Sequence, residues 1–277
     1  MLCKSGSLNQ LHLRDQNLHM SKYIKTEIAG RTGFIILARP EKKNALNDAL
    51  VEALTSAFTQ LEENNDVKVI VLKAEGDVFS AGADLEYLQK LQQFSYEENL
   101  ADSGKLRNLF LKIYNNRKLV IAQVEGHAIA GGCGLASVCD FCFAVPEAKF
   151  GYTEVRIGFI PAIVSVFLSR KIRGGDMREL LFTGNLITAA RAEEIGLINA
   201  VIDKDKINDW VRQFAASLCE EVSAQSISST KELLSKIPSM DLNDALHLAA
   251  EMNAKTRAGE DCRKGIASFL NKEKIVW

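Results

Sequence analysis

Two short apolar runs, VKVIVLKA at residues 67–74 and LVIAQVEG at residues 119–126, limit the fold more than any other feature of the chain. Both are rich in branched aliphatic residues and carry few polar interruptions. Such runs suit strands covered on both faces, as in parallel sheets flanked by helices. The neighbouring pattern agrees. Leu46, Leu50, Ala53, Leu54, Ala57, Phe58 and Leu61 recur at helical spacing before the first run, with Asn47 or Asp48 as a cap and Asn64-Asn65 as a stop. Between the runs lie residues 79–91 and a polar helical stretch, 96–115. Upstream, two β-rich runs (23–28 and 33–38) flank Gly30, Arg31 and Thr32, which reads as a hairpin. Strand and helix signals alternate to about residue 200, which predicts a largely parallel α/β core over 21–200.

After Val201 the pattern is helical only, with amphipathic segments at 203–221, 223–236, 241–257 and 260–272, so 201–277 forms a separate helical region. Residues 1–20 are polar, without clear periodicity, and read as a disordered tail. The 277 residues fit one large core with an appendage. With 34 basic and 35 acidic side chains the net charge is -1, and no basic stripe interleaves with aromatics. Nucleic acid and anionic membrane are therefore not expected partners. No apolar run approaches the ~20 residues of a spanning helix, so a cytoplasmic location is the default expectation. The cysteines (Cys3, Cys133, Cys139, Cys142, Cys219, Cys262) read as free thiols in core segments. Cys139 and Cys142 lack a second pair or a nearby histidine, so no metal site is expected. His127 reads as a strand-end residue.

Two small-residue segments, SAGADL at 80–85 and HAIAGGCGLASVCD at 127–140, each follow a strand and open a helix. Glycine and alanine there let a ligand approach the backbone, and the first N–H groups of a helix point outward unpaired. That is the chemistry of an oxyanion site. Neither segment matches GxGxxG, GxxxxGK[ST] or GxSxG, which removes the main support for dinucleotide, P-loop and serine-hydrolase readings.

Five motifs in register carry a resemblance: ARPEKKNALN (38–47), FSAGADL (79–85), VEGHAIAGGCGLASVCD (124–140), KFGYTEVRIGFIP (149–161) and TGNLITAARAEEIGLINAVI (183–202). From about residue 23 onward the chain resembles the crotonase superfamily of enoyl-CoA hydratases and isomerases. The resemblance implies an α/β fold, a crotonase-like spiral of ββα units with a C-terminal all-helical trimerisation region, assembled as a homotrimer or a dimer of trimers. It implies an acyl-CoA substrate, with coenzyme A arriving as part of that substrate and no resident cofactor. It places an oxyanion hole on the N–H groups of Ala83 and Gly131 and the acid/base on Glu154. The CoA portion falls against Lys43, Ala45 and the backbone of Ala81, Gly82, Ala83, Asp84 and Leu85, with Phe269 and Lys272 reaching a neighbour's CoA.

The chain departs from the family pattern twice. Hydratases of the family use two glutamates, and the first stands here as Gly134; many relatives have glycines where this chain has Ala162-Ile163-Val164-Ser165. Hydration of a 2-enoyl-CoA is the leading expectation, and AGGxGL with GYTEVRIGF looks like bacterial 3-methylglutaconyl-CoA hydratases. Isomerisation of a 3-enoyl-CoA, for which one carboxylate suffices, is the alternative. A non-catalytic binding protein is the third reading. Lys105 and Arg107 are candidates for meeting a distal substrate carboxylate, against the plainer reading of a solvated helix face.

Overall fold

The computed structural model describes residues 19–277. Strand β1 (His19–Met20) pairs with β2 (Ile24–Ala29), which turns at Gly30 (φ +59°) into β3 (Thr32–Leu37). The strand thus begins two residues inside the segment read as a tail; the rest of that segment lies outside the described residues. In β2, Ile24, Thr26 and Ile28 face inward at the two-residue period of a strand. Helix α1 (Asp48–Glu63) follows, capped by the Asn47 side chain, which accepts from the Leu50 N–H at 2.9 Å. Its apolar stripe of Leu50, Leu54, Phe58 and Leu61 is buried. The chain then enters β4 (Val69–Ala74), whose Val69, Ile70, Val71 and Leu72 have no exposed surface. Burial of each such side chain stabilises the fold by about 1.5–3 kcal/mol.

Next come β5 (Val78–Ser80), α2 (Leu85–Leu91), α3 (Tyr96–Tyr114) and β6 (Leu119–Val124). Helix α3 starts in a reciprocal capping box between Ser95 and Glu98 and buries Leu109, Phe110 and Ile113. They lead to β7 (His127–Ile129), α4 (Gly131–Val138), β8 (Phe141–Ala144) and β9 (Lys149–Gly151). After these run α5 (Ala162–Leu168), α6 (Gly174–Thr183), β10 (Ile187–Thr188), α7 (Ala189–Glu194) and β11 (Ala200–Val201). Beyond β11 the elements are helical: α8 (Ile207–Glu221), α9 (Ala224–Lys236), α10 (Leu242–Arg257) and α11 (Glu260–Asn271).

The strands form two sheets. The larger has the order β1-β2-β3-β4-β6-β8-β11 and is parallel from β3 onward; the smaller has the order β10-β9-β7-β5. Helix α8 is clamped on the larger sheet by an aromatic cluster in which Phe143 meets Trp210 edge-on, ring centroids 4.3 Å apart, beside Phe141 and Phe214. By contrast α10 and α11 have no fully buried residue in the single chain, and Leu242, Phe269 and Leu270 are exposed. Among the described residues no helix is long and apolar enough to cross a membrane.

Candidate active site

The smaller sheet sets the site. Strands β5, β7 and β9 are adjacent and parallel, so all three end on the same edge. Ala83 lies three residues past the end of β5, Gly131 two past β7 and Glu154 three past β9. Carboxyl ends of parallel strands are where open α/β sheets bind ligands, because the loops there can diverge. The structure therefore brings together the three groups that the sequence singles out for chemistry.

Ala83 is oriented by a parallel bridge to Leu46. The Leu46 N–H donates to the Gly82 carbonyl at 2.7 Å and the Asp84 N–H donates to the Leu46 carbonyl at 2.8 Å. Extended backbone alternates its polar groups, so the Ala83 N–H turns to the opposite side, away from Leu46. Gly131 opens α4 after Ala130, which takes φ +51°. As the first helical residue it has no intrahelical partner for its N–H. Among the described residues neither N–H donates to anything. Gly82 makes the juxtaposition possible. At φ +88°, a β-carbon on it would lie 2.7 Å from the Ala130 β-carbon and 3.0 Å from the Ile129 carbonyl oxygen, and the Gly131 nitrogen is 3.5 Å from the same point.

The loop carrying Ala83 is held by residues of the 38–47 motif. Asn44 is fully buried in the left-handed region, which asparagine tolerates, and its amide donates to the carbonyls of Glu75 and Val78 at 2.9 and 2.8 Å. The Ser80 hydroxyl donates to the Asn44 carbonyl at 2.8 Å, and the Ala81 N–H donates to the Lys43 carbonyl at 3.0 Å. Arg39 forms a buried ion pair with Asp84 at 2.7 Å and donates to the Ala45 carbonyl at 3.0 Å. Asp84 also caps α2, accepting from the N–H groups of Glu86 and Tyr87. Burial works to raise the Asp84 carboxyl, but the Arg39 guanidinium and the two helix N–H groups outweigh it and hold the group below its ordinary value. Lys43, Ala45, Ala81, Gly82, Ala83 and Asp84 thus lie on two stretches braced against each other, and Leu85 follows as the exposed first residue of α2. Arg39, Asn44 and Ser80, to which sequence reasoning gave no role, are the braces; the signal was their place in the first two motifs.

Glu154 opens a single 3-10 turn, Glu154–Ile157, closed by Gly158 at φ +75°. Its side chain is half-buried, and Oε2 is fully buried with no hydrogen-bond partner. Burial raises its pKa above the ordinary carboxylate value, partly offset by a bond to its own backbone, and no neighbouring charge contributes. A buried oxygen without a partner is costly in a structural role and useful in a proton-transferring one. Two residues before it, Tyr152 is fully buried, its hydroxyl 3.1 Å from the Ser137 Oγ, and burial pushes the Cys133 thiol up to about 12, which keeps it protonated at neutral pH.

Residues 27–277 match the family described as enoyl-CoA hydratase/isomerase. The chain belongs to that family. A Thermus thermophilus relative, provisionally named an enoyl-CoA hydratase, is 39% identical over 88% of this chain and 96% of its own length. The crystal structure of a Mycobacterium smegmatis enoyl-CoA hydratase superposes with a TM-score of 0.87 at 27% identity, covering 92% of this chain and 98% of that one. Human enoyl-CoA hydratase domain-containing protein 3 superposes with a TM-score of 0.86 at 30% identity, covering 92% of this chain and all of that one. The mixed α/β layout with terminal helices is thus the crotonase fold of the family.

Gly134, where the resemblance leads one to expect a first glutamate, is sterically closed. A β-carbon on Gly134 would lie 2.4 Å from Val164 Cγ1 and 2.8 Å from the Phe110 ring. Phe110 comes from α3 and Val164 from α5, so the space a side chain would occupy at Gly134 is already packed. Phe269 and Lys272 are not brought to the site by the single chain. Helix α11 is tied elsewhere, through Asp261 to Ser223, and the following tail through Trp277 to Arg31 and Glu220. Lys105 is engaged by Asp48 and Glu52 at 2.6 and 2.9 Å, and Arg107 by Asn108, which is the solvated-face reading of both. Cys133, Cys139, Cys142 and Cys219 are buried free thiols; Cys262 is free and half-buried. Among the described residues no cluster of three His, Cys, Asp or Glu side chains is placed to hold a metal ion. His127 is the first residue of β7 and is exposed.

Proposed function

We propose that this family member adds water reversibly across the 2,3 double bond of an enoyl-CoA, with Glu154 as its single acid/base and the N–H groups of Ala83 and Gly131 as its oxyanion hole. The observation that carries this reading is the convergence of two unpaired N–H groups and one unpaired carboxyl oxygen on one edge of the β5-β7-β9 sheet. The Glu154 carboxylate takes a proton from water as the hydroxide oxygen bonds to Cβ. The π electrons move to Cα, and the thioester oxygen becomes an enolate that the two N–H groups stabilise. Protonated Glu154 then gives the proton to Cα, and one water has been added. Each well-aimed donor of this kind contributes about 2.7–4 kcal/mol to barrier lowering.

The CoA portion lies along Lys43, Ala45 and the 81–85 backbone, the braced segment beside the hole, and needs no resident cofactor. The unburied apolar faces of α10 and α11 support assembly as a trimer or a dimer of trimers, in which Phe269 and Lys272 would meet a neighbour's CoA. For the acyl group, a short 2-enoyl or 3-methylglutaconyl chain is the reading that the GYTEVRIGF segment favours. A second reading, migration of a 3-enoyl double bond, is favoured by the closed position at Gly134, because a proton shuttle from Cα to Cγ needs only one carboxylate.

Incubation with crotonyl-CoA, 3-methylglutaconyl-CoA and 3-hexenoyl-CoA, beside Glu154→Gln, tests both. A mass gain of one water, lost in the variant, supports hydration. Conversion of 3-hexenoyl- to 2-hexenoyl-CoA at constant mass, lost in the same variant, supports isomerisation. No turnover of any of the three refutes this assignment.

A further inference from the structure

Helix α4 meets the site with its amino end, and its carboxyl end is held by side chains. Gly132 through Val138 are buried, so the carbonyls of the last turn cannot turn to water. The Ser137 hydroxyl donates to the Gly134 carbonyl at 3.1 Å and the Cys139 thiol to the Leu135 carbonyl at 3.2 Å. Lys171, in the turn between α5 and α6, sends its ammonium to the same end: it donates to the Ser137 carbonyl at 2.6 Å and to the Cys139 carbonyl at 3.1 Å. Among the described residues Lys171 has no ion-pair partner. Asp140, just past the helix, is answered by Lys231. One positive unit, on Lys171, is therefore left over behind α4.

We propose that Lys171 is a positioning residue for the enolate, acting through α4: it anchors the carboxyl end of the helix and supplies the positive charge behind the Gly131 N–H at the other end. A cation at the carboxyl end of a helix offsets the negative pole there and leaves the amino end more positive. The path is the length of α4, about 12 Å at 1.5 Å per residue, through buried residues that salt screens weakly. A unit charge acting on another over about 12–15 Å, at an effective dielectric of about 20, shifts an equilibrium by about five- to tenfold. Hydration and double-bond migration both place negative charge on the thioester oxygen, so the effect serves either reaction. This inference rests on the enolate chemistry proposed above, and it assigns a role to a residue that touches no substrate and lies outside all five motifs.

The test compares Lys171→Arg, Lys171→Gln and Lys171→Met in the full-length protein, with Val71→Ala as a core cavity in β4. Lys171→Gln keeps a donor for the carbonyls and loses the charge. The probe is acetoacetyl-CoA, whose enolate carries charge on the thioester oxygen and is followed by its ultraviolet absorbance, so the ionisation midpoint of the bound thioester reads the hole directly. That midpoint rises by about 0.7–1 unit in Lys171→Gln and Lys171→Met and keeps its wild-type value in Lys171→Arg and Val71→Ala. In the same two variants kcat on the protein's enoyl-CoA substrate falls about five- to tenfold at unchanged KM, the pattern of an interaction felt in the transition state alone. A midpoint unmoved in Lys171→Gln, or moved equally in Val71→Ala, overturns the role of the charge; where Lys171→Met fails to fold, the glutamine and arginine variants decide. A wild type that binds the probe at its midpoint in free solution refutes the oxyanion hole and the enolate chemistry with it, whereas a lowered midpoint shared by wild type and every Lys171 variant refutes this inference alone.

Discussion

Replacing Arg39 with methionine tests whether the Ala83 loop is held electrostatically. The substitution keeps most of the volume and removes the guanidinium that lies 2.7 Å from Asp84, in a pair whose side chains are 11% and 6% exposed. Breaking a buried pair from one side costs about 3–5 kcal/mol in general, because the remaining charge is stranded. Here Asp84 keeps the N–H groups of Glu86 and Tyr87, which moves the cost toward the lower end, while the bond to the Ala45 carbonyl, worth about 1 kcal/mol, is also lost. A destabilisation of about 3 kcal/mol is expected, read as a lower urea midpoint at unchanged slope. The kinetic effect is expected to be about a tenfold fall in kcat, since the Ala83 donor is loosened rather than removed. The pH dependence supplies an internal check. The folded-state value of Asp84 lies below the unfolded one, so the pair's stabilisation is complete above about pH 4 and is lost as pH falls through the folded value. The gap in stability between wild type and Arg39→Met therefore narrows from pH 7 to about pH 3. A double-mutant cycle with Asp84→Asn, which keeps an oxygen for the cap, should give a coupling of at least about 1 kcal/mol. Equal urea midpoints, or a cycle that closes at zero, would show that the pair does not hold the loop.

Three further outcomes are expected. Glu154→Gln lowers kcat by about 10²–10⁴ while its melting temperature does not fall at neutral pH, because a carboxyl whose folded value is raised costs stability once ionised; a matching loss of stability would mark Glu154 as structural. In the wild type, the rising limb of kcat/KM against pH, which reports ionisation of this base, is centred above the ordinary glutamate value of about 4.3, and a limb at or below that value contradicts the buried placement. Gly82→Ala forces a β-carbon into Ala130 from a left-handed backbone, so it costs at least about 1–2 kcal/mol in urea unfolding and lowers kcat more than it raises KM; wild-type kinetics would mean that the approach of the two loops is not needed. Lys105→Gln leaves the ratio of kcat/KM for 3-methylglutaconyl-CoA and crotonyl-CoA unchanged, since the ammonium already serves Asp48 and Glu52, and a selective loss on the acid-tailed substrate would restore it as a substrate contact.

What could be read from the sequence follows the length over which each signal is written. The runs at 67–74 and 119–126 and the stripe from Leu46 to Leu61 extend over several periods, so β4, β6 and α1 were legible, as were the four terminal helices. Strands β5, β7 and β9 have three residues each, too few to carry any period, yet they set the sheet edge on which Ala83, Gly131 and Glu154 converge. Those three residues were nameable only because glycine-rich helix starts and the motif register mark them locally. The opposite holds at Gly134. The missing glutamate is visible in the sequence, but its meaning lies in Phe110, 24 positions upstream, and Val164, 30 positions downstream, which nothing in the local pattern connects. Read alone, a glycine in place of a carboxylate suggests an emptier and wetter site. Packed against a phenyl ring and an isopropyl group it means a position with no room for a side chain. What the glycine means at this point of α4 is therefore set by packing from α3 and α5, by two residues that share no motif with it, and a sequence signal confined to one segment cannot carry that.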